Sequence, residues 1–103
     1  MKERRSDRRY PIHADLQYSL RRYRFSMVGK GKTVNVSSHG VLFESDAILP
    51  PNMAIQLRID WPARLNDQVR LRLHADGRVV RVEDKNIAVE VSQYSFHTLS
   101  TAP

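Results

Sequence analysis

Residues 55–61 read Ile-Gln-Leu-Arg-Ile-Asp-Trp, with an apolar side chain at every second position. This alternation places the apolar side chains on one face of a β-strand and the polar ones on the other. The same pattern recurs at 16–20, 23–27, 69–73 and 87–91. Strands with one apolar face and one wet face are typical of an antiparallel sheet.

Turn-forming residues separate these stretches, and they predict turns at 29–31, 37–40, 49–52 and 62–67. No stretch has the spacing of an amphipathic helix. About six short strands at near-regular spacing predict an all-β fold, a small six-stranded antiparallel β-barrel. We expect a short helical or irregular segment after the last strand.

The alternation changes phase twice. The apolar positions move from even to odd numbers between residues 20 and 23, and back to even numbers after residue 77. A slip of one residue would otherwise turn the whole apolar set to the outside. We therefore expect a bulge or tight turn near 21–22 and another at 76–77.

The chain has 103 residues, of which 41% are hydrophobic and 27% charged, and this is typical of one small folded domain. We divide it into a flexible basic N-terminal arm (1–12), the barrel (13–92) and a C-terminal tail (93–103). No apolar run is long enough to span a membrane. The absence of cysteine excludes disulfides and thiol chemistry, and it favours a cytoplasmic protein.

Positive charge is concentrated in the first third of the chain. Residues 1–32 contain ten Lys and Arg against three acids, a net charge of +7, whereas the whole chain carries +6. Such a concentration of positive charge near the N-terminus indicates an anionic partner. The alternative is a basic tail that only keeps the chain soluble.

The sequence gives little support to catalysis. Histidines at 13, 39, 74 and 97 have no metal-ligand spacing, and the adjacent residues 37–39 do not form the local signature of a catalytic triad. We therefore expect no enzyme activity, no metal and no cofactor.

The first motif that carries chemistry lies in the arm, where Arg5 and Arg9 are separated by three residues and flanked by Arg4 and Arg8. A guanidinium group is planar, forms forked hydrogen bonds with phosphate and stacks on flat rings. It also binds guanine through O6 and N7. The arm therefore suits a ligand that has both phosphates and purine rings, although a generic basic tail remains the alternative.

The second motif is Asn35, Ser37 and Gly40 at the end of a predicted strand, with Ser38 as a weaker candidate. These are common turn-forming residues. In a functional interpretation, Asn35 and Ser37 project from one strand face toward the polar edge of a base. Gly40 then permits a close approach of the backbone.

Together the two motifs, R-x-x-x-R followed by N-x-S-x-x-G, make the chain resemble the PilZ domain family. The resemblance covers most of the chain and includes Pro11, the strand 41–43, the segment 77–81 and the last strand 86–91. It implies a six-stranded β-barrel that binds the bacterial second messenger cyclic di-GMP.

The resemblance also implies roles for single residues. Arg5 and Arg9 would hold the phosphates and guanines, while Asn35, Ser37 and Gly40 would hold a guanine from the barrel side. In similar proteins, an arginine at the position of Arg4 accompanies binding of an intercalated ligand pair. Asn35 stands where Asp is frequent, and its single acceptor oxygen matches the two guanine donors less well.

From these residues we expect a cyclic di-GMP receptor whose arm becomes ordered on binding and which passes the signal to a protein partner. One alternative is a small nucleic-acid-binding barrel, whose affinity would fall steeply with salt and ignore base identity. The other is a PilZ-like adaptor that binds no ligand. The retained motifs argue against the adaptor, and the lack of an obvious aromatic stacking face argues against nucleic acid.

Overall fold

The structure, a computed structural model, describes residues 8–99. They form six antiparallel strands, as the sequence predicts, and no helix. The strands are β1 (Asp15–Arg22), β2 (Phe25–Val36), β3 (Gly40–Ser45), β4 (Ala54–Leu65), β5 (Val69–Glu83) and β6 (Asn86–Thr98). Nothing in this part of the chain has the helical length and hydropathy needed to cross a bilayer.

The strands close into a barrel in the order β1-β2-β3-β6-β5-β4. The ring is completed by β1 and β4, which pair from Leu16 opposite Ile59 to Leu20 opposite Ile55. Closure satisfies the backbone hydrogen-bonding groups along both sides of the paired segments.

The core follows the alternation seen in the sequence. In β1 the side chains at 16, 18 and 20 are buried, and in β4 those at 55, 57 and 59 are buried. Phe43, Val79 and Ile87 from the other strands meet them inside the barrel, and each is fully buried. Burial of a side chain of this size stabilises the fold by about 1.5–3 kcal/mol.

The predicted turn and bulge are both present, but the phase of β5 changes only at a later register shift between Val79 and Arg81, since Ala75 and Val79 are both buried. The first is the β1–β2 hairpin, where Arg22 pairs with Phe25 and Tyr23 adopts a φ of 52°. The second is a β-bulge between β5 and β6, where the register shifts between residues 76 and 77 and leaves Ser92 unpaired. A Cβ on Gly77 would collide with the carbonyl oxygen of Glu90, so the glycine allows the close approach of the two strands.

The predicted turn at 29–31 is wrong, because β2 continues through it from Phe25 to Val36. The glycines in this segment provide space for their neighbours. A Cβ on Gly29 would collide with the hydroxyl group of Tyr18, and one on Gly31 would lie 2.5 Å from the carbonyl oxygen of Glu44. Glycine therefore indicates close packing here and not a change of chain direction.

The predicted helical or irregular C-terminal segment is wrong for residues 93–98, which form the last part of β6 and pair with β5. The bulge at Ser92 moves the apolar positions to even numbers and thereby hides the strand pattern in the sequence. Phe96 packs against Trp61 with ring centroids 5.1 Å apart, and this contact holds the segment against the sheet.

Beyond the closed ring, the ends of three strands form what we call the sheet extension: residues 61–65 of β4, 69–76 of β5 and 92–98 of β6. Its inner face carries Trp61, Leu73 and Phe96. This face and the arm residues Tyr10 and Ile12 line an apolar cavity of about 370 Å³ at one end of the barrel.

Candidate ligand-binding site at the barrel rim

The arm is fixed beside the end of β2 by backbone hydrogen bonds. The N–H groups of Tyr10 and Val36 each donate to the other residue's carbonyl oxygen, both at 2.9 Å. Further along, Ala14 N–H donates to Thr33 Oγ1 at 2.8 Å, and the Thr33 hydroxyl donates to the carbonyl of Ile12. This attachment determines where Arg9, the residue before Tyr10, meets the barrel.

Arg9 and Asn35 join the two sequence motifs directly. Arg9 Nη1 donates a hydrogen bond to Asn35 Oδ1 at 2.9 Å, across 26 positions of sequence. Asn35 follows a shift in the β2–β3 register, in which Thr33 pairs with Phe43 and Asn35 with Leu42. Such a bulge changes the direction of the strand and of its side chains. The spacing of the motifs therefore corresponds to a real contact at the rim.

Ser37 stabilises the turn that carries the second motif. It is buried, and its Oγ accepts hydrogen bonds from the N–H of Gly40 at 3.0 Å and of His39 at 3.3 Å. Its own N–H donates to the Gly40 carbonyl at 2.8 Å. These contacts give Ser37 a positioning role, and its predicted contact with a guanine stays a prediction.

Gly40 keeps the space beside Arg9 open. A Cβ at this position would lie 3.2 Å from the Val89 carbonyl oxygen, 3.6 Å from Arg9 Nη2 and 3.8 Å from Ser37 Oγ. A side chain here would therefore occupy the gap between the guanidinium group and the barrel wall. Ser38 is exposed, with its Oγ 3.1 Å from His39 Nδ1.

A depression of about 650 Å³ opens at this point. Its polar lining comes from Arg9, Asn35, His39, Arg81 and Glu90, and its floor from small and aliphatic residues of β3, β5 and β6. A surface with guanidinium and amide groups above an apolar floor can accept phosphates and a flat ring at the same time.

Arg81 is a lining residue that the sequence reasoning missed. In the sequence, the segment 77–81 is notable only as a feature of the resemblance to the PilZ family. Because the β5–β6 register shifts between Val79 and Arg81, simple alternation along β5 does not assign Arg81 to a face. A sequence signal that could have pointed to Arg81 is its position four residues after Gly77, close to the predicted bulge at 76–77.

The structure thus brings three predicted site residues, Arg9, Asn35 and Gly40, to the depression, and Ser37 holds the turn beside them. Arg8 is exposed next to them. Ser37 and Ser38 both line the apolar cavity and not the depression. Arg4 and Arg5 lie outside residues 8–99, so their predicted roles concern a part of the chain that the structure does not describe.

The apolar cavity at the barrel end fits a charged dinucleotide less well. The apolar cavity offers few polar groups to an anion, since its lining is mostly aliphatic and aromatic. Between residues 8 and 99, no three His, Asp or Glu side chains gather where they could hold a metal ion. The rim depression is the candidate site because the two motifs meet there.

The fold and the Arg9–Asn35 contact define a small β-barrel domain whose N-terminal arm lies against a polar turn at the rim. The family model for the PilZ domain matches residues 3–102, and the chain belongs to the PilZ domain family. This confirms the resemblance found in the motifs. PilZ domains are a family of cyclic di-GMP-binding receptor domains and not an enzyme family. A comparison with curated proteins found no significant match.

Proposed function

We propose that this protein is a bacterial cyclic di-GMP receptor that binds the dinucleotide between its N-terminal arm and the barrel rim. The observation that carries the proposal is the 2.9 Å hydrogen bond from Arg9 to Asn35, which brings both family motifs to one depression. Membership of the PilZ family supplies the ligand class.

The chemistry of the depression suits this ligand. The Arg9 guanidinium can form forked hydrogen bonds with a phosphate or with guanine O6 and N7. Once Arg9 turns to the ligand, Asn35 Oδ1 can accept from the N1–H or N2–H of a guanine. Arg81 in the same lining adds a second positive charge, and the family motif assigns a further one to Arg5.

Signalling would follow from the arm. In the described residues, the Tyr10–Val36 bridge and the Arg9–Asn35 contact hold the arm at the rim. A ligand that replaces the second contact favours a different arrangement of the arm and adds its own surface to the rim. A protein partner that binds one of these two surfaces more tightly than the other would respond to the presence of the ligand. We assign this activity to the bacterial cytoplasm.

Isothermal titration calorimetry with cyclic di-GMP tests the proposal on the full chain. We expect guanine-dependent binding, and we expect Arg9→Ala to weaken it because a hydrogen bond to a charged group contributes about 1.5–3 kcal/mol. That corresponds to roughly a tenfold to hundredfold loss of affinity. Arg70→Ala, an exposed arginine on the sheet extension, is the matched control and should bind like the original chain.

The same experiment separates the alternatives. Cyclic di-AMP, which keeps the phosphates and replaces the guanines, should bind much more weakly. If titration of the intact chain with tens of micromolar cyclic di-GMP gives no heat, the proposal is contradicted. The remaining interpretation is then a PilZ-like adaptor that binds no ligand. Tight binding of any single strand, with a steep loss of affinity in salt, would favour the nucleic-acid barrel.

A further inference from the structure

One edge of the sheet extension is open. Residues 92–98 of β6 pair with β5 on one side. On the other side, pairing with β3 ends at Gly40 opposite Glu90, followed by one hydrogen bond from Val91 N–H to the His39 carbonyl at 2.9 Å. Within residues 8–99, no strand covers this edge beyond that bond.

The composition of the open edge is unusual for a strand that stays single. Residues 92–98 read Ser-Gln-Tyr-Ser-Phe-His-Thr, all exposed and without proline, lysine, arginine or acid. Tyr94 is 52% exposed and Phe96 48%. Natural edge strands usually carry charges or proline that prevent pairing. The outer strand on the opposite side of the extension, β4, has both in Pro62 and Arg64.

The backbone groups available at this edge can be assigned from the ladder. Leu99 N–H donates to the Arg70 carbonyl at 2.9 Å, and the register is continuous from there to residue 93. In an antiparallel pair, alternate residues direct their N–H and C=O groups to the same neighbour. Residues 93, 95 and 97 therefore face β5, and residues 94, 96 and 98 face the open edge.

We propose that a second copy of this chain pairs with the open edge, β6 against β6 and antiparallel, about a two-fold axis at Ser95. In this register Tyr94 of each copy exchanges two backbone hydrogen bonds with Phe96 of the other, which makes four in all. Ser95 faces Ser95 of the second copy. The contact uses the same surface on both copies, so it closes as a dimer.

The side chains agree with this register. On the inner face Tyr94 lies opposite Phe96 of the second copy, and aromatic cross-strand pairs are favourable. This pair would join the aromatic cluster that Trp61, Phe96 and Tyr94 already form beside the apolar cavity. Pairing therefore covers the most apolar part of the exposed edge.

On the outer face, the charges are complementary. His97 lies beside Arg72 in the ladder, while Gln93 lies beside Asp76 and donates to its Oδ2 at 3.1 Å. The antiparallel arrangement places His97 opposite Gln93 of the second copy. The basic end of each copy thus meets the end that carries the carboxylate, and no like charges face each other.

Cysteine cross-linking tests the register, because the chain has no cysteine of its own. Ser95→Cys should form a covalent dimer on mild oxidation, since residues facing each other at such a pair have Cα atoms about 4.5 Å apart. Gln93→Cys alone should not cross-link, whereas a mixture with His97→Cys should. Ser26→Cys, an exposed serine in β2, is the control.

Sedimentation equilibrium without any ligand tests the dimer itself, and its outcome does not depend on cyclic di-GMP. We expect a mass of twice 11.9 kDa. Phe96→Lys should weaken the dimer by roughly tenfold or more, because it removes two cross-strand pairs. Val28→Lys, at a more exposed apolar residue of β2, should have no effect.

The proposal is overturned if the chain remains monomeric at hundreds of micromolar, or if Ser95→Cys cross-links no faster than Ser26→Cys. Cross-linking of Ser95→Cys with His97→Cys instead would place the two-fold axis at Phe96 and contradict the register. Should Phe96→Lys unfold, the cysteine pattern at three exposed positions still decides the question.

Discussion

At the scale of single residues, Tyr18 and Asp46 form a contact that links the barrel core to the loop after β3. Tyr18 donates its hydroxyl proton to Asp46 Oδ1 at 2.7 Å, and Lys30 N–H donates to Oδ2 at 3.2 Å. The bond from Tyr18 is the main reason that the pKa of Asp46 lies below its ordinary value. Burial is the main reason that the pKa of Tyr18 is raised.

These two shifts predict a stability maximum between acid and alkaline pH. A lowered carboxyl pKa stabilises the fold above the unfolded value of Asp, and this contribution is lost as pH falls through the folded pKa. A raised tyrosine pKa stabilises the fold below 10.0 and is lost as pH rises through the folded value. We expect Asp46→Asn to flatten the acid side of a plot of urea midpoint against pH.

The control for this experiment is Asp84→Asn, in the turn between β5 and β6, which makes the same change in net charge. Asparagine also tolerates the φ of 57° at that position. An acid slope in Asp46→Asn equal to that of the original chain would contradict the role given to the Tyr18–Asp46 bond.

Single residues also show how much of the candidate site could be predicted from the sequence. The resemblance to the PilZ family implies that Arg9 and Asn35 belong to one site, and the two side chains form a hydrogen bond. The roles of Ser37 and Arg81 could not be predicted from the sequence in this way. The first depends on hydrogen bonds to the backbone of the turn, and the second on a bulge that changes which face of β5 it occupies.

At the scale of elements, β2 is the strand whose continuity depends on glycine. Gly31 lies where β2 passes the backbone of Glu44 in β3, and backbone atoms cannot move aside as a side chain can. We expect Gly31→Ala to destabilise the fold by about 1–3 kcal/mol, because it introduces a methyl group into a filled space. Urea denaturation measures this change.

Ser26→Ala, an exposed position on the same strand, is the matched control and should change the unfolding free energy by less than about 0.5 kcal/mol. Equal effects of the two substitutions would mean that Gly31 is not needed for close packing. The strand would then continue through 29–31 for another reason.

The elements also explain where prediction from sequence failed. Alternation predicts β1 and β4 well, because their buried positions follow a strict period of two. The turn signal fails at Gly29 and Gly31, where small residues serve close packing inside a strand. Alternation fails after Ser92, where one unpaired residue shifts the phase of β6. In both places a neighbouring strand determines the structure, and a single sequence does not contain that information.

At the scale of the whole molecule, three surfaces have different chemistry. The rim depression next to the arm is polar and carries Arg9 and Arg81, the cavity at the barrel end is apolar, and the open edge of β6 is uncharged. Of the basic residues among the first 32, Arg9 lines the rim depression, whereas Arg21, Arg22 and Arg24 lie at the β1–β2 hairpin. An anionic ligand is therefore expected at the rim, and a protein contact at the open edge.

The most direct test of the proposed receptor is a ¹H–¹⁵N NMR titration of the full chain with cyclic di-GMP. We predict that the amide shifts concentrate at Arg9 and Tyr10, at 35–40 and at 79–81, and that β1 and the sheet extension change little. No shifts at tens of micromolar ligand, or shifts centred on Trp61, Leu73 and Phe96 of the apolar cavity and on the open edge of β6, would contradict the account.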